Sequence, residues 1–226
     1  MSDLEEQLQR SGLQITGYCE LLSQHHPELL VRAPLLEDMT PDEADTLGRA
    51  MLMVRAAPGQ TMIREGEFGD WMMLILKGTV DVSKQISRRS EESAEDLLAG
   101  LDRSETQSRN APAEVSQGLP SQAEGAAPDA SGDGAVIEPA PISSRVAVLR
   151  PGAAIGEMSM LDGGLRYTSC TAIGEVEAGV LGRRAIALLI RDHPTVGAKL
   201  LVKITQLMAQ RLRNTGNHLV RVLRKQ

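Results

Sequence analysis

The chain has little with which to do redox, metal or membrane work. Its two cysteines, Cys19 and Cys170, lie far apart and without companions at metal-ligand spacing, which argues against a disulfide framework, a zinc site or a cysteine-ligated iron–sulfur centre. Both read as inert thiols. His25 and His26 are adjacent, so they face different ways on any regular element, and no carboxylate accompanies them at ligand spacing; no metal site is expected. No apolar run approaches the ~20 residues that a spanning helix needs. The first residues, MSDLEEQLQR, are acidic and polar where a signal peptide is basic and then apolar, and the expected compartment is the cytoplasm. No nucleophile, base and orienting residue form a set, so neither catalysis nor a cofactor is expected.

Basic charge is also scarce. The net charge is −6, and residues 85 to 143 hold eleven acidic residues against four arginines, which leaves the rest at +1. The broad basic face that a nucleic-acid backbone requires is missing, although the tail RLRNTGNHLVRVLRKQ is locally positive. What remains, 226 residues with 42% apolar and 24% charged side chains, suits one well-buried domain with additions.

Residues 1–32 read as an N-terminal helical extension, helix-like from Leu4 to about Leu30 with Gly12 and Gly17 as interruptions. Thr40-Pro41-Asp42-Glu43 has the N-cap, the proline and the acidic first turn of a helix start. From Leu52 to Val82 short β-like runs alternate with turns at Pro58-Gly59, Glu65-Gly66, Phe68-Gly69-Asp70 and Lys77-Gly78, the spacing of a small antiparallel barrel or jelly roll. Residues 85–143 collapse into Ser, Glu, Ala, Gly and Pro and read as a disordered or extended insertion into a hairpin, with some helix potential at Ser90 to Ser104. β-like runs resume at Arg145 to Leu149, and a long helix starts at about Pro194 and runs to 224. On it Leu201, Thr205, Met208, Leu212, Thr215, Leu219 and Val222 recur at steps of four and three, a heptad seam, while Leu200, Ile204 and Leu207 form a second apolar line suited to packing on the barrel.

The most informative stretch is Pro151 to Ala172, PGAAIGEMSMLDGGLRYTSCTA. Gly156 allows close backbone approach, Glu157 offers oxygens suited to a ribose hydroxyl, and Arg166 can bring a two-pronged donor to a phosphate. Met158 to Leu161 would form a short helical turn facing the same anion.

This segment resembles the phosphate-binding cassette of the cyclic nucleotide-binding domains, the type found in catabolite activator proteins and kinase regulatory subunits. Gly156, Glu157, Met158, Ser159 and Arg166 fall in register with it, and the resemblance continues through Pro58 to Glu67 and Leu74 to Val82. It implies an α+β fold: an antiparallel β jelly-roll barrel with flanking helices and a long C-terminal helix. The domain would cover residues 33–215, interrupted by 85–143. It also implies a ligand, cAMP or cGMP, held by Ile155, Gly156, Glu157, Met158, Ser159, Arg166, Tyr167 and Thr168, with Asn214 or Thr215 covering the base. One position departs: Tyr167 stands where the family is usually small. Its side chain either points outward, leaving its N–H for the phosphate, or narrows the pocket.

Only Lys225 and Gln226 follow the seam, so the helix-turn-helix unit of the family's transcription factors is not expected, and DNA is not an expected partner. The reading is a cyclic nucleotide sensor that signals through an unidentified protein effector, as a homodimer through the C-terminal helix. Two alternatives stay open: a nucleotide-independent interaction or scaffold protein with a degenerate pocket, and a cyclic di-GMP effector. The single-domain architecture points by analogy to a bacterial protein.

Overall fold

Helix α1 (Asp3–Arg10) leads into strand β1 (Gln14–Tyr18), the short helices α2 (Leu22–His25) and α3 (Leu29–Arg32), and α4 (Pro41–Arg49). Strands β2 (Leu52–Ala56), β3 (Thr61–Ile63), β4 (Trp71–Lys77) and β5 (Val80–Ile86) follow. After the insertion come β6 (Ile142–Leu149), β7 (Ala154–Ile155), α5 (Glu157–Asp162), β8 (Ser169–Ala172), β9 (Val176–Gly182), α6 (Arg183–Asp192) and α7 (Pro194–Leu223). The structure, a computed structural model, describes residues 3–86 and 142–223. The insertion expected at 85–143, with its helix potential at Ser90 to Ser104, lies outside the described residues apart from its two end residues on each side.

Two sheets face each other, with strand orders β1-β2-β9-β4-β7 and β3-β8-β5-β6. This is the expected antiparallel jelly roll, and β5 and β6, neighbours in the second sheet, are the hairpin strands that the insertion joins. Strand β4 explains why the sheets and helices share one body. Its sequence WMMLILK is apolar without alternation because both of its faces are covered. Trp71, Met73 and Ile75 point between the sheets, while Met72, Leu74 and Leu76 pack with residues of α2, α4, α6 and α7 in a separate helical layer.

The N-terminal segment differs from its helical expectation. Gln14–Tyr18 adds to the first sheet beside β2, with a bulge between Ile15 and Gly17. Ile15, Thr16 and Tyr18 favour an extended backbone, Gly12 and Gly17 take positive φ, and the open edge of β2 supplies a pairing that no local periodicity reveals. The segment returns to helix at Leu21, held at φ 51°, where the Ser23 N–H and hydroxyl donate to the buried Asp45 carboxylate at 2.7 and 2.9 Å.

Helix α4 starts as expected. Thr40 and Glu43 form a reciprocal capping box with Pro41 in the first turn. Glu43 also accepts from Lys199 at 2.6 Å, which holds its carboxyl below the usual range. One turn further along α7, Lys203 pairs with Glu37 and Asp38. Leu200 and Ile204 are fully buried beneath that helix and Leu207 packs partly against the same cluster, the line read from the sequence. Of the seam residues, Leu201 and Leu212 are exposed. No helix among the described residues is long and apolar enough to cross a membrane.

Gly48 makes the docking of the N-terminal segment testable. A Cβ there would stand 2.2 Å from the Cys19 carbonyl oxygen. Gly48→Ala gains about 1 kcal/mol of helix propensity but forces a backbone shift that costs about 1–3 kcal/mol. The expected result is a lower urea midpoint at unchanged slope; a raised midpoint would mean that the Cys19 turn moves freely.

Candidate functional site

The site is built where β7 runs into α5. Gly156 caps α5 at φ 78°, a conformation that side chains disfavour, and a Cβ there would also lie 2.6 Å from the Arg166 guanidinium. From the first turn of α5, Glu157 and Ser159 point inward and are buried, whereas Met158 and Leu161 are exposed.

Arg166 is 4% exposed. Its Nη1 donates to the Gly156 carbonyl at 2.7 Å and to Ser159 Oγ at 2.6 Å, and its Nη2 to the Trp71 carbonyl at 2.7 Å. The guanidinium lies 4.2 Å over the Trp71 ring, with Gly69 leaving room beside it, since a Cβ there would stand 2.3 Å from Nη2. Trp71 is itself tied to α1, its Nε1–H donating to Gln7 Oε1 at 3.0 Å. Among the described residues no carboxylate forms an ion pair with Arg166. Burial pushes its pKa down to about 10, so it stays charged at neutral pH. A guanidinium has five N–H donors, and three of these hydrogen bonds are made here.

Glu157 is the opposite charge of the site and is fully buried. Its Oε1 accepts from Arg211 of α7, whose Nη2 also donates to the Ala154 carbonyl at 2.5 Å. Its Oε2 is buried with no hydrogen-bond partner. A buried carboxylate oxygen without a donor is costly, and a ligand hydroxyl is the group that fits it. The site thus offers a guanidinium with no ion pair at contact distance among the described residues and an acceptor without a donor.

A search of solved structures returns the same architecture. A cyclic nucleotide-binding domain from Methylobacillus flagellatus KT superposes with a TM-score of 0.61 at 24% identity, covering 95% of this chain and 89% of that one. The fold is that of the cyclic nucleotide-binding domains. The Thermus thermophilus catabolite activator protein aligns with a TM-score of 0.57 at 20% identity, over 84% of this chain and 63% of that chain. Among curated proteins, the CRP-like cAMP-activated global transcriptional regulator of Mycobacterium tuberculosis is 26% identical over 192 residues, 85% of this chain. The chain spans 61% of the length of that regulator. No model of a known protein family matches the chain.

In this cyclic nucleotide-binding fold, Ile155, Gly156, Glu157, Ser159 and Arg166 lie together, with Ile155 buried between the sheets. Met158 sits on the exposed face of α5. Tyr167 points outward: it is 63% exposed, its ring lies 3.8 Å from Lys84 Nζ, and its carbonyl accepts from the same ammonium at 2.9 Å. Lys84 continues to Glu65 at 2.9 Å, so this lysine ties the segment after Arg166 to β5 and to the end of β3. Thr168 is half-buried. Asn214 and Thr215 are exposed on α7, and the Thr215 hydroxyl donates back to the Arg211 carbonyl at 3.0 Å; neither is brought to Glu157.

Two site residues were not singled out from sequence. Trp71 read as core, and nothing local to it announces a cation above its ring. Arg211 did leave a signal, because it continues the buried line Leu200, Ile204 and Leu207 by four further residues, and a charge on an otherwise buried helix line implies a buried partner.

The thiols test how closed the barrel is. Burial raises Cys19 to about 12 and Cys170 to about 11, so roughly one Cys170 in a thousand is thiolate at pH 8. Neither should react with a disulfide reagent at that pH until denaturant is added. Rapid native labelling of one thiol would mean that β8 or β1 opens.

Proposed function

We propose that this chain is a cyclic nucleotide sensor of the cAMP or cGMP type that signals through a protein partner. The observation that carries the reading is a pair of buried groups: Arg166, whose guanidinium forms no ion pair at contact distance among the described residues, and Glu157, whose Oε2 has no donor. A cyclic nucleotide supplies the two missing groups, an anionic phosphate and a ribose hydroxyl, on one rigid ring system. The cAMP-activated curated relative favours cAMP as the first ligand to try. Tyr167, turned away onto Lys84, leaves the degenerate-pocket alternative without its plug.

Arg211 makes the site a transmitter in this reading. It joins α7 to the carboxylate that would take the ribose, so a ligand that hydrogen-bonds Glu157 changes how firmly α7 is held. Binding shifts the helix only to the extent that the ligand's affinity differs between two helix positions. The exposed seam residues Leu201 and Leu212 are the points through which α7 would meet a second copy, since Met208 between them packs on the domain's own core.

Calorimetry with cAMP, cGMP and cyclic di-GMP tests the first step. One cyclic mononucleotide should bind saturably, and Arg166→Ala should weaken it roughly ten- to more than a hundredfold, the equivalent of about 1.5–3 kcal/mol for a charge-assisted hydrogen bond. Silence with all three ligands overturns the sensor reading, and preference for cyclic di-GMP replaces its ligand. The seam is tested separately by sedimentation. Leu212→Glu should convert a dimer to a monomer with helix content kept, and a wild type that sediments as a monomer at all concentrations removes the dimer from the reading.

A further inference from the structure

A cavity, about 290 Å3 in volume, lies between α1 and β3. Arg10, Ser11, Thr61, Arg64, Glu67 and Arg166 are among the residues that line it. Gly156, Glu157, Thr168 and Arg211 do not, and Arg166 is the charged group shared between this cavity and the candidate site. Its charge is lopsided: three guanidinium groups face one carboxylate. Arg64 pairs with Glu67 at 3.3 Å and Arg10 with Glu6 at 3.5 Å, all four side chains at least half exposed, where such pairs contribute little. Arg166 has no ion-pair partner among the described residues, and none of them accepts its Nε–H.

Electron-rich backbone at the end of α1 does not offset this charge. The carbonyls of Gln7, Leu8 and Gln9 accept from the N–H groups of Ser11, Leu13 and Gly12, and the Ser11 carbonyl from Gln60 Nε2. The Thr61 hydroxyl adds a short polar donor to the lining, whereas the Ser11 hydroxyl is spent on the Gln7 carbonyl at 3.2 Å. At about 290 Å3 the cavity has room for a tetrahedral ion with its hydration shell.

We propose that this cavity is a second anion site, which takes a free oxyanion of the phosphate class, with Arg10 and Arg64 supplying charge from the rim and Arg166 from the inner wall. Planar forked donors suit two oxygens of one tetrahedral ion. An ion bound here holds Arg166 against Trp71 and competes with any anion that draws the same guanidinium toward Glu157. That competition rests on the nucleotide reading; the anion site does not. By linkage the antagonism is reciprocal: nucleotide weakens phosphate by the factor by which phosphate weakens nucleotide.

Trp71 is the chain's single tryptophan and lies against both Arg166 and Gln7, so its fluorescence reads the site directly. The full chain is titrated with inorganic phosphate at ionic strength held constant with chloride. A saturable change in Trp71 emission is expected, weakened at least tenfold in the Arg10→Gln, Arg64→Gln double variant. That variant should keep the wild-type melting temperature, because both side chains are solvent-exposed, and it should keep nucleotide affinity when phosphate is absent. No saturable response, an equal response to chloride alone, or full retention by the double variant overturns the site. A wild type that binds phosphate but no cyclic nucleotide leaves the anion site standing and removes the sensor reading.

Discussion

A guanidinium sits almost wholly buried in this molecule without a carboxylate at ion-pair distance among the described residues, and much of the surrounding structure exists to make that tolerable. Moving a bare charge out of water is among the costliest steps in folding. Here the cost is met by dipoles: two backbone carbonyls, the Ser159 hydroxyl and the face of Trp71 all present negative potential to Arg166. Glycine is needed at 69 and 156 because a Cβ at either position would overlap the guanidinium. The Arg166 backbone is clamped as well, its N–H donating to the Glu67 carbonyl and its carbonyl accepting from Gly66. Contact with the guanidinium is thus made by neutral groups, while the nearest carboxylates act on it only through space.

The same logic extends to the long helix. Lys199, Lys203 and Arg211 follow one another along α7 and meet Glu43, the Glu37–Asp38 pair and Glu157 in turn. The first two ties anchor the beginning of the helix to α4 and the turn before it. The third is different in kind, because its partner is the fully buried carboxylate of the candidate site. The tie to Glu157 thus holds the second half of the helix as the two lysines hold the first, and Leu212 lies one position beyond the contact. The opposite end of the site is tied to the N-terminus through Gln7 and Trp71, so both termini of the domain converge on one pair of charges.

Local chemistry was legible in the sequence wherever a few neighbouring residues suffice to define it. Thr40 to Glu43 specify a helix start because cap, proline and box all act within four residues. Gly156, Glu157 and Arg166 specify a cassette because turn, carboxylate and fork are close in the chain. The unbroken apolar run of β4 and the line Leu200, Ile204, Leu207 specify burial because strand and helix periods are themselves local. Gln14–Tyr18 was misread as helix because its strand character depends on pairing with β2, nearly forty residues away by register with Met53 and Arg55.

By itself the sequence determined the jelly roll, the order of its motifs, the helix that follows them and the identity of the charged residues around Gly156. Only the tertiary structure decided what those charges touch. Glu157 meets Arg211 across 54 residues, Arg166 meets the Trp71 carbonyl across 95, and Trp71 meets Gln7 across 64. The outward turn of Tyr167 was settled by Lys84, 83 residues earlier. Backbone propensity and periodicity act over a few residues and so can be read along the chain. Which buried charge finds which partner depends on three-dimensional packing and desolvation, which come into being only once the sheets and helices have closed around them.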